Sequence, residues 1–261
     1  MIDITMASNC YYKNYELVTS EEWIKRLLLY DNDCIAHRTL FVSNIDDRKP
    51  VIDRLTCLRL GGVINDYFFS YDYFDEIERR FRNCSRESFY RRTSIKEFLD
   101  GLKRGEILKL KYDGLLYSIS QICAILKCKT KYILYVTEDV IMDNKTLEGF
   151  IKESISVMNN NPKVLVANPI WNNAVKEAKN ESFREDDNFW YSYGFSDQCC
   201  LLDVEKIHSM TDIFAEKNSF TEKAYPYYSA NCFERRMSAY MRNHGFERIT
   251  YKNASYTHKK I

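Results

Sequence analysis

The chain has 261 residues, of which 45% are hydrophobic and 29% charged, with a formal net charge of +1. That balance suits a globular protein with room for one large domain, and it excludes a mainly electrostatic nucleic-acid binder, which would carry a basic surplus. No apolar stretch approaches the roughly 20 residues that span a bilayer, and nine cysteines without a CxxC pair suggest neither a zinc ribbon nor a disulfide scaffold. Reduced, mostly buried thiols are expected instead. The N-terminal stretch lacks the cationic-then-apolar layout of a signal peptide. The expected location is the cytoplasm, with any membrane contact peripheral and made through a partner or substrate.

Taken in chain order, "TSEEWIKRLLLY" (19–30) reads as an amphipathic helix opened by a capping box from Thr19 to Glu22. "RTLFVSN" (38–44) reads as a strand, ended by the turn-like "NIDDRKP". Pro50 then suits a first helical turn, and Val51, Ile52, Leu55 and Leu58 keep helical spacing up to Gly61 and Gly62. "DYFFSYD" (66–72) reads as a strand, "YFDEIERRF" as a helix, and 83–106 as a polar, basic helical excursion. A strongly apolar helix, "GLLYSISQICAILKC" (114–128), leads to the strand "KYILYVTED". A helix "KTLEGFIKESISVM" and a strand "KVLVANPI" (163–170) follow. Residues 171–196 are polar and aromatic without a period and read as a long functional loop. A strand "QCCLLDV", a helix "NCFERRMSAYMRNHG" (231–245) and a strand "FERITY" come after it. Strands alternating with helices at this pitch predict one α/β sheet covered on both faces.

The most confident strand ends in two adjacent carboxylates, Glu138 and Asp139. Open α/β sheets bind ligands beyond the carboxyl ends of their strands. A carboxylate pair there suits a hard divalent cation that bridges to phosphate oxygens. A solvated strand end, or the acidic cap of the next helix, accounts for the same residues.

"YILYVTEDVIMDNKTLE" resembles the central segment of GT-A-fold glycosyltransferases, particularly the inverting family 2 and its relatives. The resemblance implies a GT-A-like, Rossmann-related mixed sheet, mostly parallel and flanked by helices, in a single domain over 1–261. Its nucleotide-sugar-binding half would be 38–140 and its acceptor-side half 141–261. In that family the strand ends in a DxD motif that binds Mn²⁺ or Mg²⁺ and, through it, the donor diphosphate. By register Thr137 falls on the first acidic position, so the first acid is absent here. The resemblance implies Asp139 as the metal ligand, Glu138 as a helper and His258 in "NASYTHKK" as a further ligand. It implies Glu234, in "NCFERRMSAYMRNHG" with Gly245 as the closing glycine, as the general base that takes the acceptor hydroxyl's proton.

For the nucleotide, "TLFVSNIDDR" resembles the family's first strand and loop, which brings in Ser43. "YFFSYD" resembles the second strand, with Asp72 as the carboxylate toward base or ribose and Asp75 as its runner-up. Lys111 and Asp113 in "LKYDG" resemble the region contacting ribose or diphosphate. On the acceptor side the resemblance implies Asp197 toward sugar hydroxyls. Trp171, Trp190, Tyr191 and Tyr193 would supply stacking faces for a glycan.

The function so implied is transfer of a sugar from a nucleotide-sugar donor to a saccharide or lipid-linked acceptor. It would be metal-dependent and inverting, and would serve surface polysaccharide or glycoconjugate biosynthesis. A nucleotidyltransferase is the nearest alternative enzyme, although "NIDDRKP" lacks the glycines that hold a triphosphate. A non-catalytic glycan- or nucleotide-binding module is the alternative from another class.

Overall fold

Side chains of a strand alternate between two faces, and here both alternating sets are apolar, which requires cover on both sides. The computed structural model describes residues 3–29, 32–43, 47–80, 115–142, 144–210, 213 and 233–258. Among them the strands are β1 (Ile4–Tyr11), β2 (Ile35–Ser43), β3 (Asp66–Phe69), β4 (Tyr132–Val136), β5 (Val140–Met142), β6 (Val164–Trp171), β7 (Arg184–Glu185), β8 (Phe189–Ser192), β9 (Cys199–Asp203) and β10 (Glu247–His258). They form one mixed sheet in the order β3-β2-β1-β4-β9-β6-β10-β8-β7, with β5 paired to β10. Strands β3, β2, β1 and β4 are mutually parallel. Strand β9 enters antiparallel between β4 and β6, and β6 and β10 are again parallel.

The helices are α1 (Tyr15–Val18), α2 (Glu21–Leu27), α3 (Lys49–Leu60), α4 (Phe74–Arg80), α5 (Leu115–Lys127), α6 (Asn144–Asn160), α7 (Val175–Asn180), α8 (Val204–His208) and α9 (Phe233–His244). Leu40, Val42, Leu134 and Val136 share one core with Val51 and Leu55 of α3 and Phe150 and Ile151 of α6. Phe41, Ile133 and Tyr135 point the other way, into a second core with Ile119 and Ile122 of α5 and Met237 of α9. This is the α/β sheet flanked by helices that the alternation predicts. Among the described residues no helix is long and apolar enough to cross a membrane. Cys10, Cys123, Cys199 and Cys200 are buried and free, as expected of structural thiols.

Three expectations need correction. Strand β1, which sits between β2 and β4, has no counterpart in the sequence reading, so "TLFVSN" is the second strand and "DYFF" the third. Its sequence "ITMASNCY" is strand-like only in context, because small and polar residues at Ala7, Ser8 and Asn9 fit where neighbours cover both faces. The stretch 171–196 is not a bare loop: it contains α7 and the β7–β8 hairpin, and β8 joins the main sheet beside β10. Thr19 does not cap α2; its Oγ1 donates to Tyr15 O at 2.5 Å, ending α1, and Ser20 holds the N-cap position. The expected excursion over 83–106 lies outside the described residues.

Candidate active site

Strand direction decides where the polar residues collect. Strands β1 to β4, β6 and β10 all point the same way, and β9 opposes them. The carboxyl ends of the former and the segment entering β9 therefore share one rim. Ser43, Asp72, Asp139, Trp171, Asp197 and His258 all belong to it.

His258 reaches the rim only because β10 is irregular. Tyr251 pairs with Pro169 and the next pair is Ser255 with Ile170, so Lys252, Asn253 and Ala254 bulge out of the ladder. Pro169 lacks the N–H that a regular ladder would use there. Three residues of strand are about 10 Å long. The bulge draws the end of β10 back by that length, to where His258 lies opposite Val140 of β5. The His258 Nε2 is then 2.7 Å from Asp139 Oδ2.

The two carboxylates at the tip of β4 part company. The chain turns at once, with Val140 N–H donating to Thr137 O at 3.0 Å. Asp139 faces the rim, where Thr137 Oγ1 donates to its Oδ1 at 2.7 Å. Glu138 turns inward and is only 7% exposed. Its Oε2 accepts Tyr11 N–H at 2.6 Å and its Oε1 accepts the Asn14 amide at 2.8 Å. Its own N–H donates to Asn9 Oδ1 at 3.0 Å, and its carbonyl accepts the Trp23 indole N–H at 3.2 Å. Burial pushes the Glu138 carboxyl up to about 7, outweighing the two N–H donors, which act the other way. Glu138 thus ties the end of β1 to the tip of β4. Both oxygens of Glu138, expected as a helper at the metal, accept donors from the fold.

Glu234 stands in the first turn of α9, next to Phe233, whose N–H donates to Ser118 Oγ of α5 at 3.1 Å. Burial first, and then Asp197, push the Glu234 carboxyl well above the ordinary carboxylate range, against Arg235 and Arg248. Asp197 is raised chiefly by burial; its own backbone N–H opposes this, Asp139 adds to it and His258 lowers it. One electrostatic cluster therefore joins His258, Asp139, Asp197 and Glu234. A carboxylate oxygen and an imidazole nitrogen side by side fit a divalent cation that takes its other ligands from diphosphate and water. Among the described residues no group of three or more His, Cys, Asp or Glu side chains is placed to hold a metal ion by itself.

The remaining expected residues are distributed unevenly. Ser43 is buried at the end of β2, opposite Tyr11 of β1. Asp72 lies just beyond β3, held by both guanidinium nitrogens of Arg48 at 2.8 and 2.7 Å, with Arg48 over the Phe69 ring at 4.5 Å. Asp75 opens α4. Lys111 and Asp113 lie outside the described residues. Trp171 is 44% exposed at the rim, and Tyr193, at 36%, stacks on Phe183 with centroids 4.7 Å apart. Trp190 and Tyr191 are buried, which corrects their expected part as open stacking faces. The Trp190 indole donates to Glu185 and the Tyr191 hydroxyl to Asp186, at 2.9 and 2.6 Å. Asn9, Tyr11 and Asn14 are absent from the sequence reading because nothing there marked a strand ending at Tyr11. Asn172 is absent too, although two consecutive asparagines after a strand are a legible sign of a left-handed turn.

No protein-family model matches the chain, and no curated protein resembles it in sequence. Its structure is similar to that of GalNAc-T7 solved with UDP, GalNAc and Mn²⁺, with a TM-score of 0.50 at 7% identity, over 100% of this chain and 44% of that one. The fold is that of the GT-A glycosyltransferases. Weaker matches are the galactosyltransferase LgtC with donor and acceptor sugar analogs (TM-score 0.41, 14% identity, 94% of this chain and 71% of that one) and mouse xyloside xylosyltransferase 1 in its apo form (0.42, 10%, 93% and 82%). On this GT-A fold the cluster of Asp139, His258, Asp197 and Glu234 lies at the carboxyl rim of the sheet.

Proposed function

We propose that this protein is a cytoplasmic glycosyltransferase that moves a sugar from a nucleotide-sugar donor to a saccharide or lipid-linked acceptor. The observation that carries the reading is the convergence of Asp139 and His258 with Asp197 and Glu234 at one rim of a GT-A sheet. Asp139 and His258 would hold Mn²⁺ or Mg²⁺. Bound there, such a cation neutralises charge on a nucleoside diphosphate. The structure of GalNAc-T7, solved with UDP, GalNAc and Mn²⁺ on this fold, supports that choice.

Glu234 serves as the general base. Its raised proton affinity lets it take the proton of an acceptor hydroxyl near neutral pH, as that oxygen attacks the anomeric carbon. Attack on the face opposite the leaving diphosphate inverts the anomeric centre. Asp197 orients sugar hydroxyls and holds Glu234 basic. Asp72 and Ser43 border the nucleoside, and exposed Trp171 and Tyr193 offer faces to a glycan. Products of such a reaction belong to surface polysaccharide or glycoconjugate synthesis.

The test is thermal unfolding with UDP, GDP, dTDP and CMP, with and without Mn²⁺, on the wild type and Asp139→Ala. A nucleotide at about 100 times its Kd stabilises by about 2.7 kcal/mol, which is several degrees for a chain of this size. One nucleotide should raise the Tm only with Mn²⁺, and Asp139→Ala should lose that shift. The absence of a shift with every nucleotide would overturn the donor-site reading.

A further inference from the structure

We infer that Thr137 and Asn172, neither of them a ligand, are positioning residues that set the Asp139–His258 pair from its two sides. The inference rests on the reading of that pair as a cation site. Thr137 is the nearer brace. Its hydroxyl donates to Asp139 Oδ1 at 2.7 Å, which leaves Oδ2 directed at His258. Its own N–H donates to Gln198 O at 2.8 Å, so the brace is anchored beside Asp197 at the entry to β9. A hydroxyl on one oxygen of a carboxylate fixes the plane of the group and hence where the other oxygen points.

Asn172 acts on the other partner. After Trp171 the chain reverses through Asn172 and Asn173, at φ 46° and 58°, and Ala174 N–H donates to Trp171 O at 2.8 Å. Two successive left-handed residues make a turn of the type I′ pattern, which asparagine tolerates better than most side chains. In that turn Asn172 makes two bonds to β10. Its N–H donates to Tyr256 O at 2.8 Å, and its side-chain Oδ1 accepts the His258 N–H at 2.9 Å. The side chain so extends the β6–β10 ladder by one bond past the end of β6. On its other flank the same segment is paired to β5, with His258 opposite Val140. The backbone of His258 is therefore held from both sides at the level of Asp139. Asn172 is exposed, so this bond contributes little to global stability, and its consequence is local.

Removing groups that orient metal ligands typically weakens metal binding 10- to 100-fold. The experiment uses the whole chain and reads Mn²⁺ binding from the free-ion EPR signal, with and without UDP, alongside the melting temperature. Thr137→Val keeps the shape and removes the hydroxyl; Asn172→Gly keeps the left-handed backbone and removes the acceptor. Each should weaken Mn²⁺ binding about 10-fold with the Tm nearly unchanged, and Thr137→Ser should restore it. Amide hydrogen exchange at His258 supplies a readout independent of metal. It should quicken in Asn172→Gly and return to the wild-type rate in Asn172→Asp, which retains the acceptor. Unchanged Mn²⁺ affinity in both Thr137→Val and Asn172→Gly, alongside its loss in Asp139→Ala, would overturn the inference while leaving the cation site standing. Mn²⁺ binding that survives Asp139→Ala would instead remove the cation site itself, and the inference with it.

Discussion

Glu234→Gln should lower kcat by about 10²- to 10⁴-fold, the usual worth of a positioned general base, while leaving nucleotide binding intact. Glutamine keeps the shape of the side chain but cannot accept a proton at neutral pH. The wild-type rate should rise with pH along an acid limb displaced above the ordinary carboxylate range, because burial and Asp197 both hold the Glu234 proton. The same displacement makes a second, opposite prediction about stability. A carboxyl held more tightly protonated when folded stabilises the protein below its unfolded pKa and ceases to do so as pH rises through the folded one. At alkaline pH the ionised pair is a liability, so Glu234→Gln should raise the Tm there while it slows turnover. Steady-state kinetics with the donor identified by thermal shift, together with melting curves across pH, check both. A variant with kcat within a few-fold of wild type would exclude Glu234 as the base.

Glu138→Gln should flatten the pH dependence of folding. The Glu138 carboxyl is moved from 4.5 to about 7 by burial, so its stabilising contribution is complete below about 4.5 and lost as pH rises through 7. The difference amounts to about 3 kcal/mol, at 1.36 kcal/mol for each tenfold change in proton affinity. The glutamine variant lacks this titration. It leaves one of the two N–H donors, from Tyr11 or Asn14, facing an amide nitrogen, but that cost does not vary with pH. Relative to wild type the variant should therefore gain about 3 kcal/mol between pH 4.5 and pH 8 in denaturant unfolding. A constant difference across that range would mean that Glu138 is open to water rather than buried under Trp23 and the end of β1.

Most elements were legible because their determinants are local. "YILYV" is an uninterrupted apolar run of strand length and "VLVANPI" is one broken only by Asn168, and Pro50 and the spacing of Val51, Leu55 and Leu58 mark α3. The GT-A character was likewise legible from the resemblance of "YILYVTEDVIMD", because a strand that ends in carboxylates is a local pattern. Strand β1 was not legible, since "ITMASNCY" becomes a strand by pairing with β2 and β4, over a hundred residues apart in the chain's course to the latter.

The residues proposed for the candidate site, Asp139, Asp197, Glu234 and His258, are all named by the resemblance in the sequence. The resemblance also puts Asp139 ahead of Glu138 at the proposed cation site, but the surroundings that separate the two do not follow from it. Glu138 and Asp139 are equivalent in composition and differ by one place in a turn. The turn sends one toward His258 and the other toward Tyr11 and Asn14. The partners that decide between them come from both ends of the chain, and His258 is brought level with Asp139 by a three-residue bulge opposite Pro169. A side chain's chemistry is local, but whether it is ionised, buried or free to bind is set by what the fold packs against it.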